Sequence, residues 1–330
     1  MNRILGFLAQ FILWLGLGAT SLLFGFLSIS TARVVGRSLG RWGWRLRPRD
    51  RQRACENLLH LGASLGERTR ARIARNCFEQ MGETVLELIS LGGKDVDRLG
   101  PPPRPGGVAI AGLDALREKI SALRESGSGV IIISGHIGSW ELAGSIIGRE
   151  YPHDSLFMAR KYDNPVEQQW LDTLRRRLGA RLVYQDESLL RSIRLLHNGG
   201  ILGMMTDLDI KKMDGIHVPF LGKRAHTTTA PARLAMKTGS PLLPFFVIRD
   251  AQGYHLEFDD PIEPAQFQGE DEEQIRAITV ATNEAIERAI RRHPAQWPWM
   301  HARWHSTPEV VARRKLRHSR RSVEGEVRGA

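Results

Sequence analysis

His136 and Glu141, within GVIIISGHIGSWELAG (129–144), are the residues whose types and spacing point most directly to chemistry. An imidazole takes a proton from an attacking hydroxyl, and a carboxylate beside it orients the ring and balances its charge. Five positions apart, the two would lie about 140° from each other on a helix, so they converge only if His136 occupies the turn before the helix. An apolar strand, a Gly135 turn, His136 and a helix capped by Ser139 supply that arrangement. The carboxyl end of a strand is also where open α/β sheets gather their chemistry. One such spacing is weakly specific, and a buried structural histidine beside a surface glutamate fits it as well.

Further polar residues fall at corresponding places. Arg160 and Asn164 follow the run SLFMA, Arg177 closes the next helical stretch, and Asp207 and Asp209 follow ILGMMT. Lys223 and Arg224 occupy a turn ahead of three threonines and another helix. Each has an ordinary explanation alone: a solvated charge, a cap, a threonine cluster. On one face they would combine a base, an acid partner, cations and two aspartates, as suits a phosphorylated or polyhydroxylated acceptor.

Competing motifs fail on context. The pattern G-x-S-x-G occurs around Ser38 and Ser64, but neither serine lies between a strand and a helix as a nucleophile elbow requires. HExxH, Walker A and GxGxxG are absent, and Asp207-Leu208-Asp209 lacks the further ligands of a calcium loop. Cys55 and Cys77, the only cysteines, make neither a disulfide framework nor a cysteine zinc site. No metal and no cofactor is expected, and the compartment reads as reducing.

The elements that must position these residues follow from periodicity. After PPPRPGG (101–107), short apolar runs (VAIAG, GVIIIS, SLFMAR, ARLVY, ILGMMTD, and later LLPFFVIR and YHLEFDD) alternate with amphipathic helical stretches. This predicts an α/β fold, a mostly parallel sheet flanked by helices. Residues from about 50 to 97 read as helical, with Ile73, Cys77, Phe78, Met81, Val85 and Leu88 at three and four spacing. Between Arg3 and Arg33 run 29 residues without an ionisable side chain. As a helix they would reach about 43 Å, against a hydrocarbon core of about 30 Å. The expected organisation is a membrane-anchor helix over 1–35, a basic juxtamembrane and helical segment over 36–104, a catalytic domain over 105–308 and a basic, disordered tail over 309–330.

The 330-residue chain carries a net charge of +11 and is 42% hydrophobic, enough to bury a core. Its basicity is local. Eight arginines between Arg33 and Arg53 face only Asp50, and a second basic run begins at Arg313. One arginine before the apolar segment and eight after it place the remainder on the cytoplasmic side of a membrane. The same arginines, interleaved with Trp42 and Trp44, suit anionic lipid; nucleic acid is not expected, because no nucleic-acid-binding motif accompanies them.

Taken in order, these motifs resemble those of the late acyltransferases of lipid A biosynthesis, a branch of the lysophospholipid acyltransferase superfamily. The superfamily's H-x4-(D/E) pair is matched by His136 and Glu141, and the family's arginine and asparagine after the next strand by Arg160 and Asn164. Its arginine before a glycine resembles Arg177. Its D-Q-D resembles Asp207-Leu208-Asp209, with leucine for glutamine. VPFLGKRAHTTTAPARLA (218–235), PAQWPWMHARWH (294–305) and RACENLLHLG (53–62) are similar to three further family elements. The resemblance implies a glycerolipid acyltransferase-like fold at the cytoplasmic face of the inner membrane. It also implies transfer of a fatty acyl chain from an acyl carrier protein thioester to a hydroxyl of a lipid A precursor. His136 would be the general base oriented by Glu141. Arg160, Arg177 and Lys223 would meet acceptor phosphate or sugar, and Asn164, Asp207 and Asp209 would serve site architecture or sugar hydroxyls. Alternatives are acylation of another glycolipid or lysolipid, such as a phosphatidylinositol mannoside, with an acyl-CoA donor, or a non-catalytic membrane-anchored protein that binds lipid or acyl carrier.

Overall fold

A computed structural model describes residues 2–313 apart from 63–64, 93–108, 126, 186, 188 and 211–214, with backbone alone for 2–9, 11, 12 and 14. The punctuation at 101–107 and most of the basic tail lie outside the described residues.

The apolar runs form the expected strands: β1 (Ala109–Ala111), β2 (Val130–Ser134), β3 (Ser155–Ala159), β4 (Leu182–Tyr184) and β5 (Ile201–Met205), then, after a hairpin, β8 (Leu242–Arg249) and β9 (Gly253–Phe258). The hairpin consists of β6 (Gly215–Phe220) and β7 (Lys223–Thr228). Seven strands make one sheet in the order β1-β9-β8-β2-β5-β3-β4. β8, β2, β5, β3 and β4 run parallel, whereas β9 is antiparallel to β8, and β1 follows β9.

Strand β2 is buried throughout, and its alternate residues serve two cores. Ile131 and Ile133 join Ile193, Ala235 and Ile286 from α8 (Leu189–His197), α9 (Ala230–Thr238) and α10 (Asp271–Arg292). Val130 and Ile132 join Leu116, Ile146 and Leu174 from α5 (Leu113–Arg124), α6 (Trp140–Glu150) and α7 (Pro165–Arg177). Helices therefore cover both faces.

The β6–β7 hairpin departs from expectation, since the sequence reading has only a turn there. Leu221 (φ 49°) and Gly222 (φ 77°) both take the left-handed conformation of a tight two-residue turn. A leucine in that role carries no hairpin signal, so the flanking strands are not legible in the sequence, and Lys223 becomes the first residue of β7.

The N-terminal region differs more. The uncharged stretch is divided: α1 (Asn2–Gly25) ends, Ser28 accepts a hydrogen bond from the Thr31 backbone, and α2 (Ile29–Leu46) continues through the first arginines. A boundary at residue 35 thus falls inside α2. Among the described residues no helix is long and apolar enough to cross a membrane. The stretch expected to be helical over about 50–97 consists of α3 (Pro48–Asn57) and α4 (Glu67–Gly92), with residues 93–97 outside the described set. Val85, assigned to its apolar face, is 46% exposed, while Glu83 and Glu87 are buried. Both acids are drawn inward by arginines. Glu87 accepts from Arg33 Nε (2.6 Å) and Arg249 Nη2 (2.5 Å), and Glu83 faces Arg37 Nε at 2.5 Å. Burial alone would raise the Glu87 pKa, but Arg249 and Arg33 bring it below the usual carboxylate value.

Helices α2 and α4 cross at glycines. A Cβ added at Gly40 would collide with the Phe78 carbonyl, and one added at Gly82 with the Gly36 carbonyl. We expect Gly40→Val to cost at least about 1–3 kcal/mol, since neither backbone can yield without breaking its helix. Urea denaturation of the purified variant measures this, and an unchanged midpoint would contradict the packing.

Candidate active site

Register places the two central residues of the site. β2 and β5 are adjacent and parallel, with Ser134 opposite Met205. Two residues further on, both chains leave the sheet, and His136 stands beside Asp207. The imidazole Nδ1 lies 2.8 Å from Asp207 Oδ1, and the His136 backbone N–H donates to Oδ2 at 2.8 Å. A third donor arrives from far along the chain: the Trp297 indole N–H reaches Oδ2 at 2.8 Å.

An ionised carboxylate only accepts, so the proton between the two side chains sits on Nδ1, leaving the Nε2 lone pair for an incoming group. Asp207 is fully buried, whereas the His136 side chain keeps 24% exposure. Burial would raise the Asp207 pKa, but His136 and then the Trp297 indole bring it down to about 2. For His136 burial works the other way, and Asp207 overcomes it, raising the imidazole above its ordinary value. Trp140 and His301 flank the ring, with centroids 5.5 and 6.3 Å away. Burial and neighbouring His136 lower His301 to about 4, so it is neutral at pH 7.

This corrects the expected partner. Glu141 does not hold the imidazole; it lies in the first turn of α6, where Arg175 donates to both of its oxygens at 2.8 Å. The reason is the path out of β2. Gly138 (φ 65°) turns the chain so that the Ser139 N–H meets the Val247 carbonyl and α6 begins alongside β8. A side chain at Gly138 would strike that carbonyl. The turn delivers the Glu141 carboxylate to Arg175 of α7, from where its charge still adds to that of Asp207 in raising the His136 pKa. Arg175 was missed although it belongs to the run Arg175-Arg176-Arg177. Helical angles separate its face from that of Arg177 by about 160°, but only the position of Glu141 says which arginine turns inward.

The remaining candidates scatter. Arg160 is exposed one residue past β3, and Asn164 caps α7, accepting from the Val166 backbone at 2.9 Å. Asp209 accepts from Ser306 Oγ at 2.7 Å, its other oxygen buried without a hydrogen-bond partner among the described residues. Lys223 is exposed at the hairpin tip, where its charge adds to the effect of burial in lowering the pKa of His60. Arg177 lines a cavity of about 320 Å³ between α1 and α7, with Leu17, Ile89, Trp170 and Leu174.

The C-terminal element places Trp297. Gln296 bonds both backbone groups of Arg249 (3.1 and 2.9 Å), the residue whose guanidinium holds Glu87. Arg303, fully buried, donates to the carbonyls of Leu208 and His226 and to Thr227 Oγ1. The tryptophan-rich composition marks this element as core, but nothing in its spacing points to Asp207.

Taken together, the geometry provides an oriented base with an open Nε2 at a strand end, a nearby half-buried arginine–glutamate pair and a mostly apolar cavity. A family model described as bacterial lipid A biosynthesis acyltransferase matches residues 3–306. The chain is 25% identical to the lipid A biosynthesis lauroyltransferase of Escherichia coli K12, over 91% of this chain and 94% of that one. It is 26% identical to a lipid A biosynthesis acyltransferase of Haemophilus influenzae, over 74% and 80%. A phosphatidylinositol mannoside acyltransferase of Mycobacterium tuberculosis is 24% identical over 63% of each chain.

Trp297→Phe removes one donor to a buried carboxylate and, because phenyl is smaller than indole, also opens a cavity at a fully buried position. The expected loss is at least about 1.5–3 kcal/mol of stability, read by denaturation, and an unchanged midpoint would rule out a structural role for the indole N–H.

Proposed function

The chain belongs to the bacterial lipid A biosynthesis acyltransferase family and is an acyltransferase, and we propose that it moves a fatty acyl chain from an acyl carrier protein thioester to a hydroxyl of a lipid A precursor, with His136 as general base. What carries this reading is the His136–Asp207 pair, whose Nε2 is the open position.

In this mechanism His136 Nε2 takes the proton of the acceptor hydroxyl as its oxygen attacks the thioester carbonyl. The tetrahedral intermediate collapses with cleavage of the C–S bond, and the thiolate leaves with the proton from Nε2. No acyl-enzyme forms. Asp207 fixes the tautomer and offsets the imidazolium charge, the role first given to Glu141. Glu141 in turn holds Arg175, which we assign, with Arg160 and Arg177, to phosphate or sugar groups of the acceptor. Lys223 acts further out, and Asn164 and Asp209 serve architecture. The cavity beside α1 suits an acyl chain in size and lining.

Membrane contact belongs to the same proposal. Leu22, Leu23, Phe26, Val34, Leu39, Trp42 and Leu46 are exposed large apolar side chains along α1 and α2, the density expected of a surface that meets lipid. Arg45 stacks over Trp42 and Arg51 over Trp44, a headgroup-level arrangement for anionic lipid. This supports attachment at the inner membrane, with the arginines of α2 and α3 against its cytoplasmic face. A second acceptor class, another glycolipid, is favoured by the similarity to the mannoside acyltransferases and by Leu208.

His136→Ala is expected to abolish transfer from acyl carrier protein to a lipid A precursor while leaving folding intact; retained turnover would end this mechanism. Because Asp207 raises the His136 pKa, the base is neutral only as pH rises through a value above 6.5, so the acidic limb of kcat/KM should lie there. Asp207→Asn should lower kcat by ~10²–10⁴-fold and move that limb to lower pH. Glu141→Gln should leave the limb nearer its original place and raise KM for the acceptor. The same assay with a mannoside acceptor in place of the lipid A precursor separates the two acceptor classes.

A further inference from the structure

Away from the active site, three potential ligands from two elements converge. His255 and Glu257 alternate along β9 and so share one face, and His293 caps the C-terminus of α10. Glu257 Oε1 lies 3.0 Å from His255 Nε2 and 2.6 Å from His293 Nε2, and the three atoms all fall within 4.8 Å of one another. We propose that His255, Glu257 and His293 form a binding site for a divalent transition cation, Zn²⁺ by ligand chemistry, that ties β9 to the end of α10.

The donor set is two imidazole nitrogens and one carboxylate oxygen, a combination that zinc accepts with water in a fourth position. Ligands about 2.05 Å from a tetrahedral ion stand about 3.3 Å apart. The His255–Glu257 distance of 3.0 Å needs to open by about 0.3 Å to reach that spacing and the His293–Glu257 distance of 2.6 Å by about 0.7 Å, the latter a small rotation of the His293 side chain. The surroundings are arranged as metal sites require. Asp250 Oδ2 sits 3.0 Å from His255 Nδ1, so the second imidazole nitrogen has a carboxylate partner. Asp250 is itself fixed, its other oxygen accepting from the backbones of Gln252 and Gly253 at 2.8 and 2.7 Å. Arg292 Nε occupies Glu257 Oε2 at 3.1 Å, which leaves Oε1 to the two histidines. Strand β9 is paired on both sides, by β1 and β8, so two of the ligands stand on a rigid element.

Position gives the site a purpose. His293 immediately precedes Pro294–Gln296 and Trp297, the segment that grips Arg249 and Asp207. A cation there would clamp the start of that segment, a structural role that does not depend on the acceptor or donor proposed above. The sequence expectation of no metal rests on motifs read along the chain. Ligands 36 residues apart on a strand and a helix end follow no such spacing.

The test uses tag-free, full-length protein in detergent, stripped with chelator and titrated with ZnCl₂ by calorimetry. One Zn²⁺ per chain is expected, with a rise of several degrees in Tm. His255→Ala and His293→Ala should each weaken binding at least tenfold, and Asp250→Asn about tenfold through loss of its grip on the imidazole. Absence of stoichiometric binding, or saturable binding that survives in the His255→Ala/His293→Ala double variant, would overturn the proposal. X-ray absorption at the zinc edge of the loaded wild-type protein covers the case in which a variant fails to fold. Two imidazoles in the first shell support the site, and fewer than two refute it.

Discussion

The structure turns on one buried carboxylate. Removing Asp207 from water costs several kcal/mol unless its charge is met, and three donors meet it: the His136 ring, the His136 backbone and the Trp297 indole. Those donors come from the end of β2 and from a segment ninety residues beyond Asp207. Satisfying them requires β2 beside β5 in the observed register and the C-terminal element folded back behind the sheet. The same compensation tunes the imidazole, because a carboxylate held ionised raises the basicity of the ring that faces it.

A second layer of buried charge stands behind the first. Arg249, at the end of β8, binds Glu87 of α4 and, through its backbone, Gln296. Glu87 also receives Arg33 from α2, whose Nη2 reaches the Gly253 carbonyl at the start of β9 at 3.2 Å. The N-terminal helices are thus joined to the catalytic sheet by ionic hydrogen bonds as well as by apolar packing. Breaking one partner of such a network leaves the other charge buried and alone, a larger penalty than the loss of a surface pair.

These pairings also change the meaning of the arginine belt. Arg33, Arg37 and Arg41 face Glu87, Glu83 and Glu79, and Arg47 and Arg53 face Asp50. Part of the local positive charge is structural glue between α2 and α4. The remainder is concentrated at Arg45, Arg49 and Arg51, all exposed near the end of α2 and in α3.

The sequence by itself determined the strand–helix alternation, the mostly parallel sheet and the place of His136 after β2, because burial on both faces writes itself as short β-branched runs and a turn writes itself as glycine. It also marked Asp207 and the tryptophan element as belonging with the chemistry, through resemblance. Only the tertiary structure decided which carboxylate reaches the imidazole. Glu141 and Asp207 are both acidic residues near strand ends, and the choice between them is made by the turn at Gly138 and the register of β2 on β5. For the same reason Arg175, Glu87 and the His255–Glu257–His293 cluster were illegible: their partners lie on other elements, and local periodicity carries no record of what folds against a side chain from far along the chain.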